Sequence, residues 1–227
     1  FIKAKKRILE LLKEQKQAII NDAVTGKVDV RTGKPYPKYK PSGVEWLGDI
    51  PDDWEVRRLK NVAKIVLGKM LKSTQETGYY LKKYLRSVNI QWEKAKLINV
   101  AEMYFSKNEM STFRIKENDI LISEGGEVGR CCLWKNEIEE CYIQNSVHKL
   151  TCFSIIEPQF FLYHFMTMVK KGFLNSTVNR VSIAHLTREK LVVLKIAYPA
   201  FDQQLQIVSY IQEKTQAIGQ TINRIER

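Results

Sequence analysis

The residues whose types could support catalysis begin with an acidic segment near position 52. Asp52 and Glu55, followed by Arg57, have the residue types of a nuclease metal site, in which carboxylates hold a divalent ion. Only two residues separate Asp52 from Glu55, and Arg57 stands where such a site has a lysine. The segment therefore does not predict a metal centre.

A glycine-containing segment is the second place where chemistry could occur. Gly125, Gly126 and Gly129 match half of a phosphate-binding loop. Such a loop joins a strand to a helix whose N-terminus holds the phosphate, whereas these glycines stand between two strand-like runs. We therefore expect a tight turn that orients neighbouring side chains.

Histidines and cysteines form no recognisable site either. The three histidines are isolated in sequence, which is more typical of core, surface or DNA-facing positions than of a ligand or a base: His148, His164 and His185. The cysteines show neither a CxxC pair nor a disulfide spacing, which predicts buried, reduced thiols in a cytoplasmic protein: Cys131, Cys132, Cys141 and Cys152. With no nucleophile elbow, Walker loop or zinc-protease motif present, the sequence predicts a binding role without catalytic residues, metal or cofactor of its own.

Net charge is +12, and most of the excess lies in the middle of the chain. Residues 54–200 hold 23 Lys and Arg against 14 acidic residues. A basic globular domain favours a polyanionic partner, most often nucleic acid. No apolar run approaches the roughly 20 residues that span a bilayer.

Both ends of the chain carry heptad-spaced residues. Near the C-terminus a 3-4-3-4-3 spacing places six residues on one stripe: Val208, Ile211, Thr215, Ile218, Ile222 and Ile225. The same frame near the N-terminus contains Ile2, Leu9, Leu12, Ile19 and Ala23, with two interruptions, Lys5 and Lys16. We predict two helices, about 36 and 39 Å long, the second capped by Asp202. They are expected to pair as an antiparallel coiled coil through Leu9, Leu12, Ile19, Val208, Ile211, Ile218, Ile222 and Ile225.

The pattern as a whole predicts an α+β fold in which one mixed, strand-rich domain is flanked by these helices. We divide the chain into a helix over 1–24, a proline-rich anchoring segment over 25–53, the globular domain over 54–200 and a helix over 201–227. One internal helix is expected from Pro158 to Gly172, with its aromatic residues in the core. Strands are predicted at Val62–Leu67, Tyr84–Ile90, Asp119–Ser123, Gly129–Trp134 and Val147–Thr151.

Several segments together resemble one family, the DNA-specificity (S) subunits of type I restriction-modification enzymes. The resemblance is carried by residues 39–59, which contain Trp46-Leu-Gly-Asp-Ile-Pro51, by the strand–turn–strand over 118–129, and by Pro199-Ala-Phe-Asp-Gln-Gln over 199–204. It also includes Leu11–Ile20 and Ala23–Asp29, which match the end of the family's conserved helix. If Phe1 directly followed Arg227, the two heptad frames would continue in phase.

This resemblance implies a non-catalytic subunit that recognises a DNA sequence. Such subunits carry two recognition domains, so the chain is expected to be a half-subunit or the second half of a full subunit that reads one half of a bipartite site. The implied partners are double-stranded DNA, the methyltransferase (M) subunits, the restriction (R) subunit, and a second recognition domain or a second copy of this chain. S-adenosylmethionine is expected on the M subunit. The helices and the segment from Trp46 to Trp54 are expected to offer surface to the M subunits.

Lys and Arg residues of the middle domain would contact phosphates, and a few polar side chains would read base edges in the major groove. The predicted DNA-binding residues are polar residues of the expected loops: Lys69, Lys72, Ser73, Gln75, Gln91, Lys94, Arg130, Asn145, Asn179 and Arg180. Two other functions remain open at this point. One is a standalone DNA-modifying or DNA-cleaving enzyme, and the other is a coiled-coil scaffold that binds no nucleic acid.

Overall fold

The structure is a computed structural model that describes residues 2–173 and 185–226. Five α-helices lie in these ranges: α1 (Ile2–Val24), α2 (Lys107–Phe113), α3 (Pro158–Lys170), α4 (Arg188–Val193) and α5 (Phe201–Glu226). The strands of the same ranges are β1 (Tyr39–Pro41), β2 (Asp49–Pro51), β3 (Glu55–Arg58), β4 (Ala63–Leu67), β5 (Tyr79–Leu85), β6 (Ala101–Ser106), β7 (Ile120–Ser123), β8 (Cys131–Leu133), β9 (Tyr142–Ile143), β10 (Val147–Cys152) and β11 (Lys195–Tyr198).

Two sheets organise the domain. The larger has the order β4-β10-β7-β8 with antiparallel neighbours, and the smaller has the order β6-β5-β9. Two-stranded pairs, β1 with β2 and β3 with β11, lie outside them. Mixed strands and helices around shared cores make the fold α+β, as the sequence predicts.

Helix α3 supplies the centre of the largest core. Phe160, Phe161 and Phe165 are fully buried, and each contributes about 1.5–3 kcal/mol by leaving water. Pro158 occupies the first turn, where its missing N–H costs nothing, and the Glu157 carboxylate accepts the Phe160 N–H at 2.5 Å. The prediction that these aromatic residues belong to the core is confirmed.

The proline-rich segment is attached to this core. Leu47, Ile50 and Trp54 are buried, and the Trp54 ring packs edge-on against Phe160 at 6.3 Å. Gly26 ends α1 at φ +71°, and a Cβ there would lie 2.3 Å from the ring of Pro51. Trp54 itself is 0% exposed, whereas Gly48, Asp49, Asp52 and Asp53 of the same segment are exposed, so contact of this segment with the M subunits stays a prediction.

The two terminal helices contact each other, and both enter the same core. α1 enters at its C-terminal end and α5 at its N-terminal end, so the helices leave the domain side by side in opposite chain directions. Of the predicted pairing residues, Val208, Ile211 and Ile222 are buried; the half-buried ones are Leu9, Leu12, Ile19, Ile218 and Ile225.

Two local predictions are wrong. The expected strand Tyr84–Ile90 ends at Leu85, because Ser87–Asn89 forms a 3₁₀ turn in which the Asn89 side chain accepts the Arg86 N–H. α5 begins at Phe201, so Asp202 lies inside the first turn instead of capping the helix. The start of α5 is fixed by Gln204, whose side-chain amide donates to the carbonyls of Pro199 and Ile155.

No helix among the described residues is both long and apolar enough to cross a membrane. The four cysteines are free, and three of them are buried: Cys131, Cys132 and Cys141. Burial raises the pKa of the Cys132 and Cys141 thiols to about 12, so both thiols stay protonated.

Candidate nucleic-acid interface

One end of the two sheets gathers most of the loops in which DNA contacts are predicted. In the larger sheet Leu67 lies opposite His148, Val147 opposite Ser123, and Ile122 opposite Cys131. The last residues of β4 and β7 and the first residues of β8 and β10 therefore lie at the same end of the sheet. β5 and β9 are parallel, and only residues 144–146 separate β9 from β10. The last residues of β5 and β9 therefore lie at this same end.

We call this end of the two sheets the loop end and define it by residues 68–69, 86–94, 124–130 and 144–146. Its backbone is tied together at 144–146. The Asn145 N–H donates to the Lys69 carbonyl at 2.9 Å, and the Glu124 N–H donates to the Ser146 carbonyl at 3.0 Å. The Ser146 hydroxyl accepts the Ser87 N–H at 3.0 Å. Hydrogen bonds between the loops, together with the buried Ile90, give the loop end a fixed shape.

Close backbone approach reinforces this junction at Gly68. A Cβ at Gly68 would lie 2.3 Å from the carbonyl oxygen of Gln144. Glycine is therefore required where the segment after β4 passes the segment after β9. The sequence contains this glycine, but its role depends on a contact between positions that are 76 residues apart.

Arg130 and Gln91 come together at the loop end. Arg130 Nη1 lies 3.4 Å from the Gln91 side-chain oxygen, and Nη2 donates to the Ser87 carbonyl at 3.3 Å. The Arg130 side chain is 17% exposed, with Glu127 at 3.9 Å. The guanidinium is thus pre-oriented by the protein, which suits a donor that must match a base edge.

Lys94 and Asn145 belong to the same end. Lys94 is exposed, and its carbonyl accepts the Gln91 N–H at 3.1 Å in the turn that carries both residues. Asn145 lies in the segment that follows β9, where it is half-buried and its N–H donates to the Lys69 carbonyl. DNA contact by these residues stays a prediction.

The predicted residues of the β4–β5 loop lie on a second surface, beside the smaller sheet. The Tyr104 N–H of β6 donates to the Lys72 carbonyl at 3.0 Å, and the Tyr104 hydroxyl is 3.5 Å from the Gln75 side-chain oxygen. Lys72 pairs with Glu76 at 2.5 Å, and Ser73 is exposed. These residues are not brought together with Arg130.

Lys69 differs from the other predicted phosphate contacts. Only 9% of its side chain is exposed, and its ammonium pairs with Glu109 and lies 5.3 Å from the centre of the Tyr79 ring. The positive charge is therefore neutralised within the protein. Asn179 and Arg180 lie outside the described residues, and their prediction stays as it was.

The structure also groups basic residues of the middle domain that the named list of predicted DNA-binding residues does not include. Two open grooves share Lys60: one is lined by Lys64 and Arg188, the other by Arg58 and Lys195. No carboxylate is among the residues that line either groove within the described ranges. We call these five residues the basic strip. The run from Arg57 to Lys64 was a usable signal, but Lys195 joins it only because β11 pairs with β3, placing Lys195 opposite Arg58.

The titratable groups most affected by burial lie in the core. Burial lowers the pKa of His164 to about 3, and it lowers the pKa of His148, whose Nε2 lies 2.6 Å from the Leu186 carbonyl oxygen. Burial also lowers the pKa of Lys149, which donates to the carbonyls of Thr112 and Arg114. In residues 2–173 and 185–226 no group of three or more His, Cys, Asp or Glu residues could hold a metal ion.

Comparison with known proteins identifies the class. A family model described as the type I restriction modification DNA specificity domain matches residues 51–227. The match covers well over half of the chain. The chain therefore belongs to the family of type I restriction-modification DNA specificity domains, as the sequence resemblance predicts.

Two curated relatives come from Methanocaldococcus jannaschii. The type I restriction enzyme MjaVIII specificity subunit is 27% identical over 182 residues, which cover 77% of this chain and 39% of the relative. The putative type I restriction enzyme MjaX specificity subunit is 24% identical over 187 residues, or 78% of this chain and 43% of the relative. The chain thus spans less than half the length of these relatives.

Solved structures show the same fold. The HsdS subunit from Thermoanaerobacter tengcongensis superposes with a TM-score of 0.60 at 18% identity, covering 99% of this chain and 48% of that one. The S subunit of a type I restriction-modification system from M. genitalium superposes with a TM-score of 0.51 at 13% identity, covering 99% and 55% of the two chains. At these identities the likeness concerns the fold.

Proposed function

We propose that this chain recognises one half of a bipartite DNA site and directs type I methyltransferase and restriction subunits to it. The observation that carries this proposal is the loop end, where Gln91 and a pre-oriented Arg130 stand on hydrogen-bonded loops. Family membership adds that such a domain specifies DNA. Base edges in the major groove present donors and acceptors that Arg and Gln match in pairs.

Affinity, in this proposal, comes mainly from phosphate contacts by the basic strip. Lys60, Lys64 and Arg188 line one open groove, so their charges are available to a polyanion. Each phosphate contact releases counterions, which makes binding weaken steeply with salt. Specificity then depends on the few side chains of the loop end.

We further propose that α1 and α5 form an antiparallel coiled coil that sets the distance between two recognition domains. The burial of Val208, Ile211 and Ile222 on one stripe supports this arrangement. The length of α5 is close to the 34–36 Å of one DNA turn. A second copy of this chain, or a second recognition domain, would read the other half-site.

The proposed chain is not an enzyme. The M subunit would bind S-adenosylmethionine and modify the DNA, and the R subunit would cleave it. The role proposed for the loop end is recognition, in which Arg130, Gln91 and the Ser87 carbonyl form a fixed hydrogen-bonding arrangement.

A binding selection from random duplexes, with and without an M subunit, tests the proposal. The expected result is one enriched half-site with this chain alone or in the complex, and a new target when the chain is added to the M subunit. An unchanged target would contradict the role in the complex. DNA cleavage or methyl transfer by the purified chain would favour an enzyme, and failure to bind any duplex at low salt would favour a scaffold.

A further inference from the structure

Lys16 interrupts the apolar stripe of α1, and its side chain has a partner in the globular domain. It stands between Leu12 and Ile19 in the heptad frame, where a lysine weakens helix pairing. Its side chain is 27% exposed, and Nζ lies 2.9 Å from both carboxylate oxygens of Glu93, 77 residues away. A half-buried ammonium shared by two carboxylate oxygens is a stronger contact than a surface ion pair.

Glu93 belongs to the tight turn Gln91–Lys94 of the loop end. Its φ is +66°, a backbone conformation that side-chain-bearing residues rarely adopt and that surrounding contacts must hold. The Glu93 N–H donates to the Cys131 carbonyl at 3.0 Å, which ties the turn to the first residue of β8. The Lys16 ammonium holds the side chain of the same residue through the ion pair.

A second cation and an aromatic ring complete the attachment of this turn. Lys170 of α3 lies 5.4 Å from the centre of the Trp92 ring, in the same turn as Glu93. The Trp92 indole N–H donates to the Glu127 carboxylate at 2.7 Å, in the β7–β8 turn. The turn is therefore held from α1, from α3 and from the neighbouring turn.

Gln91, the first residue of this turn, contacts Arg130, which is proposed to read a base pair. The Gln91 side-chain oxygen lies 3.4 Å from Arg130 Nη1, so the position of the turn helps to set the direction of the guanidinium. An unbroken series of contacts runs from Lys16 through Glu93 and Gln91 to Arg130. It joins a residue of the helical pair to the loop end.

We propose that Lys16 is a positioning residue for DNA specificity: its ion pair with Glu93 holds the Gln91–Lys94 turn so that Gln91 and Arg130 present one fixed pattern to a base pair. This inference rests on the proposed function and adds a residue outside the recognition domain to it. It explains why a lysine occupies the stripe of α1. It also means that movement of α1 against the domain would change base readout.

The test compares four variants in the same random-duplex selection. Lys16→Met keeps the length of the side chain and removes its charge, and Lys5→Met does the same at an exposed position of the same frame. The expected result is a loss of about tenfold in discrimination for Lys16→Met at the base pair that Arg130→Ala also relaxes. Lys5→Met and the conservative Lys16→Arg should retain the wild-type preference.

Two further measurements separate positioning from simple structural support. Glu93→Gln, on the other side of the ion pair, should relax the same base pair. Hydrogen exchange should become faster at residues 90–95 in Lys16→Met and in Glu93→Gln, with exchange in the larger sheet unchanged.

The outcomes distinguish this inference from the function on which it rests. If the wild-type chain is selective and both Lys16→Met and Glu93→Gln keep its full preference, the inference is wrong and the proposed function stands. Equal loss at every base pair together with faster exchange in the whole domain would make Lys16 a general stability residue and also overturn it. A wild-type chain without any sequence preference, alone or with an M subunit, would overturn both.

Discussion

We call the core around Trp54, Phe160 and His164, with the adjoining Gln204, the base of the domain; it and the loop end use polar groups in opposite ways. At the base, Trp54 is 0% exposed and the Gln204 side chain is fully occupied by backbone partners of its own chain. At the loop end the backbone is bonded internally, but Lys94 is exposed and the Arg130 side chain is 17% exposed. Apolar burial fixes the base whether or not a partner is present, whereas the loop end keeps a charged donor, Lys94, accessible to a ligand.

The largest expected effect is on stability at the base. Trp54→Ala should lower the free energy of unfolding by about 3–5 kcal/mol, because it leaves a cavity against Phe160 and Tyr36. Urea denaturation monitored by circular dichroism measures the change. Trp92→Ala, at the half-buried turn of the loop end, is the matched control and should lower the free energy of unfolding by less. Equal losses would remove the contrast between the two regions.

The next effect is the pH dependence of stability, and it also arises at the base of the domain. His164 is fully buried, and neither ring nitrogen has a hydrogen-bond partner among the described residues. Because its folded pKa is lowered to about 3, the unfolded chain binds the extra proton, and stability is lost as pH falls below the unfolded value near 6.5. Each pH unit below that value costs at most about 1.4 kcal/mol for this group.

His164→Leu should therefore flatten the pH dependence of the unfolding free energy between pH 6.5 and 4, since leucine keeps the volume and cannot be protonated. Denaturant titrations at several pH values provide the measurement. His185→Leu, at an exposed position, serves as the control and should leave the slope unchanged. An unaltered slope in His164→Leu would show that this ring is not the group that resists protonation.

The third effect should appear in base readout alone. Arg130→Ala is expected to relax one base pair by about 1–3 kcal/mol, because Arg130 is the oriented donor of the loop end. Competition binding against single-base variants of the selected site measures it. Arg114→Ala removes an exposed arginine that donates to the Glu139 carbonyl, and should leave all base preferences intact. Uniform weakening by Arg130→Ala would make Arg130 a phosphate contact.

The smallest effect should be in the salt dependence of affinity. Lys60→Gln with Lys64→Gln removes two charges of the basic strip, so affinity should fall several-fold for every sequence. The salt slope should drop by about 0.9 for each DNA phosphate that the variant no longer neutralises. Lys34→Gln with Lys38→Gln makes the same change on the anchoring segment. If the two double variants lower the affinity and the salt slope equally, the effect comes from net charge and not from the position of the basic strip.

Much of the fold could be predicted from local pattern. Strands β4, β7 and β10 and helix α3 were found from runs of β-branched and aromatic residues bounded by turn residues. The strands that were not predicted, such as β3 and β11, are short, and each is stabilised by a partner far away in sequence: Val56 pairs with Ala197. Local pattern carries no information about such a partner.

The candidate site was predictable only as a set of polar loop residues. Sequence reasoning grouped Lys69 with Arg130, although Glu109, 40 residues from Lys69, neutralises the first and Gln91 orients the second. Which cation is free and which is paired depends on contacts between distant segments. Charge and residue type identify the candidates, and packing decides which of them are paired within the protein.

By itself the sequence determined the α+β class, the two heptad-patterned helices and the family, because each depends on spacing along the chain or on contiguous motifs. The tertiary structure alone decided that the ends of β4, β5, β7 and β9 meet, that Lys195 joins Arg58, and that Lys16 reaches Glu93. The reason is physical: strand pairing and ion pairs act over a few ångströms in space, and the residues that they join here are tens of positions apart in the chain.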